Sequence, residues 1–397
     1  MSQNLASGWA EIVGDASERI RTAGQWREIR TLACGSVRTN LNGNRLVHFA
    51  SNDYFGLSQH PRVVAAAVAA TQEYGTGSSA SRLVVGSRAP HDRLEELLAE
   101  YKSTEACLLF PTGYAANLGV IGALARLGSV GVVSDALNHA SLIDGCRLSR
   151  VPTKVAAHCD LVAVARLVAE VLEEGCRPVV VTESVFSMDG DATDLVGLAD
   201  VCVKAGALLV IDDAHGVFGQ LPTWPAGLEV LIVGTLSKSL GSLGGFVAGS
   251  SLMISWIRNV ARSFIFTTAP TPAAAAAASE AVTILRSEEG FELQSHLRSL
   301  VDVLVPGHPS AVIPVVVGAE AEAVALSSTL LEREMLVPAI RPPTVPRGTS
   351  RLRVALSAAH RTAEVEALRD ALEEFGFPPS GPTSGGEGST ASWKGER

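Results

Sequence analysis

ALLVIDDAHG, residues 207–216, runs from five consecutive apolar residues into two carboxylates, an imidazole and a glycine. Apolar positions without alternation, as over Ala207–Asp212, predict a strand buried on both faces, the habit of parallel sheets. A carboxylate at the end of such a strand is costly to bury without a partner. Asp212 and His215 are therefore candidate functional residues, although alone Asp212 reads more readily as a helix cap or turn former, and His215 as a satisfied turn histidine.

The same pattern recurs on both sides. Cys107–Phe110, Val130–Ser134, Val179–Glu183, Val230–Thr235 and Gly245–Ala248 predict further strands, and helical spacing covers 61–73, 90–102, 114–126 and 161–174. Short strands alternating with helices define an α/β fold with a mainly parallel sheet, in which ligands bind beyond the C-terminal strand ends. LVHFASNDYFG (46–56) reads as a short strand running into a turn. From 271 the character shifts to a helix (272–286), strands at Ala311–Val317 and Arg351–Leu356, and helices at 320–334 and 362–375. The expected organisation is an N-terminal arm and helix (1–50, amphipathic over 9–33), a large domain (51–270) and a smaller α+β domain (271–377). A Pro-, Gly-, Ser- and Thr-rich tail (378–397) is predicted to be disordered.

With 397 residues, 47% hydrophobic and 18% charged, the chain can bury a large core. A net charge of −9 argues against broad binding to nucleic acid or to anionic membranes. No run of apolar residues is long enough to predict a membrane span, and the N-terminus lacks the apolar core of a signal peptide, so a cytoplasmic protein is expected. Six scattered cysteines (34, 107, 146, 159, 176 and 202) form no C-x-x-C pair and no zinc-type spacing, which predicts reduced thiols and no metal.

Three chemistry-bearing stretches follow predicted strands: SVFSMDGD (184–191), DDAHG (212–216) and GTLSKSLGSLGG (234–245). Lys238 alone reads as a surface residue. Desolvated near other cations, it would have a lowered pKa and serve as a Schiff-base nucleophile. The hydroxyls of Thr235 and Ser237 suit a phosphate, and the glycines permit close backbone approach. In PTGYAANLGV (111–120), Gly113 and Tyr114 open a helix whose N-terminus attracts phosphate. His139, in SDALNHASLIDG, follows another strand and could stack on a flat ring, although a lone histidine there is more often structural. A lysine, an aspartate and phosphate-binding groups at successive strand ends suggest a pyridoxal phosphate site, with the aspartate on the pyridine nitrogen. GTGSSASR (75–82) lacks the third glycine and the preceding strand of a dinucleotide loop, which excludes a nicotinamide dehydrogenase. No Walker phosphate loop, G-x-S-x-G elbow or H-E-x-x-H pair is present.

The ordered set SNDYFGL, SRLVVGSRAPH, PTGYAANLG, DALNHASLIDG, ESVFSMDGD, DDAHG, GTLSKSLGSLGG, FIFTTAPTPA and RPPTVPRGTSRLRVALSAAH resembles the α-oxoamine synthases over roughly residues 45–375. The resemblance implies a fold-type I pyridoxal phosphate-dependent transferase, aspartate aminotransferase-like, acting as a homodimer. It implies that an amino acid condenses with an acyl thioester. RPPTVPRGTSRLR, with Arg341 before Pro342-Pro343, resembles the branch that joins L-alanine to a pimeloyl thioester more than those using glycine with acetyl- or succinyl-CoA. The glycine-poor GTGSSASR and the paired prolines of TTAPTPA depart from the family pattern and leave the acyl chain open. A non-catalytic protein retaining the fold is disfavoured, because the titratable residues of the site occur together.

By the same resemblance, Lys238 matches the lysine that carries the cofactor and acts as base. Asp212 matches the acid on the pyridine nitrogen, His215 the contact to the ring hydroxyl, and His139 the histidine stacked over the ring that assists proton transfer. Gly113, Tyr114 and Thr235 match phosphate-side positions. Asn52, Ser187 and Arg353 match positions around the amino acid, with Arg353 as its carboxylate clamp. Arg27 and Arg341 match more loosely, to the far carboxylate or the CoA end.

Overall fold

The computed structural model describes residues 8–33, 35, 37–41, 43–218 and 221–379. The tail expectation thus lies outside the described residues from position 380 onward, as does Cys34.

Helix Trp9–Thr22 opens the described chain and has no buried residue; its apolar side chains, Trp9, Ile12, Val13 and Ile20, are exposed. A hairpin follows, β1 (Arg38–Leu41) against β2 (Asn44–His48). The main sheet holds β3 (Ala106–Phe110), β4 (Val130–Asp135), β5 (Thr153–Ala156), β6 (Arg177–Glu183), β7 (Leu208–Asp212), β8 (Val230–Thr235) and β9 (Gly245–Gly249). Its order is β3-β9-β8-β7-β6-β4-β5. Strands β8 to β5 pair in parallel, whereas β9 runs antiparallel to both neighbours. The sheet is therefore mixed but mostly parallel, as its apolar strands predict.

Alternate residues of each central strand enter opposite cores. Val179, Val181, Val210, Leu231 and Val233 join the core under helices Gly113–Ala125, Ala140–Ser149 and Ser251–Val260. Val180, Leu209, Ile211 and Ile232 join the core under Leu161–Glu173 and Leu195–Ala205. Each fully buried Val, Leu or Ile contributes about 1.5–3 kcal/mol, which is why these strands read as unbroken apolar runs. Toward the β3–β9 edge, Cys107, Leu109, Phe246 and Ala248 pack into a third core with helices Ala89–Tyr101 and Pro272–Leu285.

A second sheet pairs β10 (Val312–Gly318) antiparallel with β13 (Ser350–Ala355) and adds β12 (Ala339–Ile340) to its other edge. Between them, β11 (Met335–Leu336) leaves to pair in parallel with β2. Every residue of β13 is buried, including Arg351 and Arg353. Among the described residues no helix is long and apolar enough to cross a membrane.

Candidate active site

The C-terminal ends of β4, β6, β7 and β8 and the start of the antiparallel β9 lie along one edge of the sheet, where the candidate residues converge. Past β8, the chain turns sharply to present Lys238. Gly241 sits at φ 56°, and a Cβ there would fall 2.3 Å from the backbone nitrogen of Ser58, so glycine is required for the loop to lie against Leu57 and Ser58. Lys238 Nζ is 2.6 Å from His215 Nε2, and His215 Nδ1 is 2.6 Å from the hydroxyl of the fully buried Tyr54. Burial, reinforced by Arg353, lowers the Lys238 pKa to about 8 against the opposing pull of Asp212 and Glu183. Burial, then the charges of Lys238 and Arg353, drive His215 well below the usual imidazole range. Desolvation pushes Tyr54 up to about 12, so its hydroxyl keeps its proton. Lysine, neutral imidazole and phenol form one hydrogen-bonded line.

Asp212 ends β7 beside Glu183, its register partner at the end of β6. Its Oδ2 accepts from Asn117 Nδ2 at 2.6 Å and its Oδ1 from Ala214 N at 3.0 Å. Among the described residues no cationic side chain lies within ion-pair distance of it. The next residue, Asp213, is by contrast neutralised by Lys102 at 2.7 Å and receives the Ser184 hydroxyl at 2.6 Å. Burial, then the neighbouring Asp212, raises Glu183 well above the carboxylate range, so this acid stays neutral.

His139 caps helix Ala140–Ser149, its Nδ1 accepting from Ser141 N at 3.2 Å and lying 2.7 Å from Ser141 Oγ, which in turn accepts from Asn117. Burial lowers its pKa, with Lys238 adding to the effect while Asp212 and Asp144 oppose it, so the imidazole is neutral. Opposite, Gly113 begins helix Gly113–Ala125, capped by the Thr112 hydroxyl on Ala115 N at 3.0 Å. The N–H groups of Gly113 and Tyr114 belong to that helix's unpaired first turn. A Cβ on Gly245 would fall 2.4 Å from Gly113 N, and one on Gly113 would fall 3.2 Å from Thr235 Cβ, so glycines bring these segments together. Thr235 Oγ1 bonds Gly244 O at 3.0 Å and Ser237 Oγ at 2.8 Å. The Tyr114 hydroxyl donates to Asp144.

On the remaining side, Arg353 Nε donates to Ser187 O at 2.6 Å and Nη2 to Asn52 Oδ1 at 3.1 Å. Tyr54 also donates to Asn52 Oδ1, at 3.3 Å, which links this group to the lysine line. The structure thus brings together Asn52, Ser187, His215, Lys238 and Arg353, with Asp212 and His139 joined through Asn117 and Ser141, and Gly113, Tyr114 and Thr235 at the adjoining helix start. Arg341 is taken up by Gly24 O, and Arg27 is exposed in the stretch after the first helix. Tyr54, Asn117 and Glu183 are additional site residues. All three sit inside stretches or strands singled out above, and a buried Tyr hydroxyl or Asn amide always needs a partner.

The residues fit pyridoxal phosphate. Asp212 is a buried carboxylate with neutral donors only at hydrogen-bond range, matched to a protonated ring nitrogen. The amine of Lys238 is desolvated enough to be nucleophilic, and a helix start with glycine-lined walls suits the phosphate.

Residues 44–372 match the model of the aminotransferase class I and II family, and the chain belongs to that family. An 8-amino-7-oxononanoate synthase of Anaeromyxobacter dehalogenans is 42% identical over 405 residues, covering 96% of this chain and 100% of that one. Among solved structures, Sphingomonas wittichii serine palmitoyltransferase superposes with a TM-score of 0.81 at 29% identity, over 95% of this chain and all of its own. A high-resolution structure of SPT with PLP gives 0.81 at 26%, over 94% and 100%. These relatives are α-oxoamine synthases, as the ordered motifs imply.

Proposed function

We propose that this chain joins L-alanine to a pimeloyl thioester, carried on CoA or a carrier protein, to give 8-amino-7-oxononanoate, CO2 and the free thiol, with pyridoxal phosphate attached at Lys238. The carrying observation is the Lys238–His215 pair beside the cation-free Asp212, in a chain 42% identical over 405 residues to a synthase of that product. When bound, the cofactor supplies an electron sink for the carbanions left by proton loss and by CO2 loss.

The chain's own residues do the rest. Lys238 attaches the cofactor and removes the α-proton, roles that its lowered pKa permits near neutrality. His215 stays neutral and holds the lysine in line with Tyr54. Asp212 would hold the cofactor's ring nitrogen protonated, with Glu183 uncharged beside it. His139, held neutral by burial, would lie against the ring of a bound cofactor and pass on the proton that Lys238 removes. Arg353 orients the amino acid's carboxylate: with Nε committed to Ser187 and Nη2 to Asn52, its remaining N–H groups point the fork in a fixed plane. Gly113, Tyr114 and Thr235 receive the phosphate. Arg341 and Arg27 serve the acyl end only if the N-terminal stretch that Arg341 bonds at Gly24 borders it. The exposed apolar side chains of the first helix and of Leu83, Val84 and Val85 support a homodimer.

Because the free amine is the attacking form, cofactor uptake by the apo-chain should accelerate with pH and level off above about 8. Absorbance of the lysine-bound cofactor follows it, and a rate still climbing at pH 10 would mean an ordinary solvated ammonium.

The solved structures favour one second reading, L-serine with a long acyl thioester, because serine palmitoyltransferases superpose so closely. Mass spectrometry of products from L-alanine, glycine and L-serine, each offered acetyl-, succinyl-, pimeloyl- and palmitoyl-CoA, separates the two. 8-Amino-7-oxononanoate should dominate; a larger yield from any other pair overturns the first reading.

A further inference from the structure

A second cluster of ligating side chains lies beyond the ends of β4 and β6, built from residues the reaction does not use. His158 is gripped on both nitrogens: Nδ1 is 2.9 Å from Asp135 Oδ1 and Nε2 is 2.6 Å from Asp191 Oδ2. The edge-on ring of Phe186, 4.4 Å away between centroids, fixes the imidazole plane. Cys159 donates its backbone N–H to Asp135 Oδ2 at 2.8 Å, and its Sγ lies 3.7 Å from His158 Nε2 and 4.0 Å from Asp191 Oδ2. Asp135, His158 and Cys159 offer ligand atoms all within 4.8 Å of one another. Asp191 Oδ1 is buried with no hydrogen-bond partner, whereas Cys159 is exposed.

We propose that Cys159 Sγ, His158 Nε2 and the Asp191 carboxylate form a three-ligand site for a thiophilic divalent cation, Zn2+ being the best match, with a water in the fourth position.

Thiolate, imidazole and carboxylate together select zinc over the hard cations, and Zn–S near 2.3 Å with Zn–N and Zn–O near 2.0–2.2 Å sets ligand separations of about 3.3–3.7 Å. The two distances to sulfur lie at or just above that range. The Nε2–Oδ2 pair is closer because a proton bridges it, and the cation takes that proton's place. Asp135, bonded to the far nitrogen, is the outer carboxylate that fixes the tautomer and orients a metal-bound histidine. The orphan Oδ1 of Asp191 gains a partner when the carboxylate turns toward the cation, and the exposed thiol leaves an entry path. The proton balance is explicit: binding releases one proton from the imidazolium and one from the thiol. With a carboxylate at hydrogen-bond distance on each ring nitrogen, both nitrogens of His158 carry a proton, and because ligands bind deprotonated, affinity rises with pH. Spacing along the chain concealed the site, since Asp135 ends β4 while His158 and Asp191 come from two later, separate loops. The second of these loops also carries Ser187, whose carbonyl holds Arg353; the cation braces that loop from behind.

The test titrates Zn2+ into the cofactor-loaded chain against a chromophoric chelator, for wild type, Cys159→Ser and Asp191→Asn. The expected result is one equivalent bound by wild type, tightening with pH, and affinity at least about 100-fold weaker in Cys159→Ser. In parallel, Zn2+ should protect Cys159 from iodoacetamide, read on its own peptide by mass spectrometry; Cys107, Cys146 and Cys202 are buried and serve as internal controls. Equal Zn2+ affinity in wild type and Cys159→Ser, or alkylation of Cys159 at the same rate with and without Zn2+, would overturn the proposal and leave His158 as a structural imidazolium.

Discussion

Replacing Lys238 by alanine should abolish turnover, with a loss of at least about 10³-fold, because nucleophile and base disappear together. The covalent link to the cofactor should vanish as well, and with it the yellow colour of the lysine-bound form. Folding should survive. The amine is desolvated, and removing it relieves that strain rather than leaving a charge unpaired, while His215 keeps its hydrogen bond to Tyr54. Melting temperature separates this outcome from general collapse. A variant that stayed coloured and active would sink the assignment of the site.

Asp212→Asn should retain the covalent cofactor yet lose about 10²–10³-fold in exchange of the amino acid's α-proton, or roughly 3–4 kcal/mol of transition-state stabilisation. The amide cannot carry the charge that keeps the ring nitrogen protonated. It also fits its pocket imperfectly, since both carboxylate oxygens accept from donors, Asn117 Nδ2 and Ala214 N, and an amide presents one NH2 where an oxygen stood. Proton exchange followed in deuterated water by NMR reads this directly. Exchange at the wild-type rate would refute the role given to Asp212.

The central strands were legible because they are buried on both faces, so composition alone announces them; Val179–Glu183 and Val230–Thr235 needed no partner to be recognised. Strand Thr153–Ala156 was not, since it lies at the sheet edge with exposed positions and carries no apolar run. The pairing of Met335–Leu336 with β2 was hidden for another reason: two residues give no periodicity, and their partner lies almost three hundred positions away. In the site, Lys238, Asp212, His215 and His139 stood out because charged or aromatic polar groups directly after apolar strands need an explanation. Tyr54, Asn117 and Glu183 did not, because each acts through a contact that only the fold creates. Asn117 sits in the middle of a helix and reaches Asp212 across 95 residues, while Glu183 is separated from an ordinary solvated acid only by its burial beside that same carboxylate.

The hydrogen bond between Asn52 and Arg353 spans 301 residues, and this distance has a consequence for a chain made from its N-terminus. Lys238, Asp212 and the phosphate-side helix are all synthesised before Arg353 exists. At 5–20 residues per second, the 115 residues from Lys238 to Arg353 take about 6–23 s. Throughout that interval the nascent protein possesses the groups that would anchor a reactive cofactor, but not the arginine proposed to align an amino acid with it. Strand β13, the last among the described residues, would thus complete the site only after the cofactor's anchoring groups have been made.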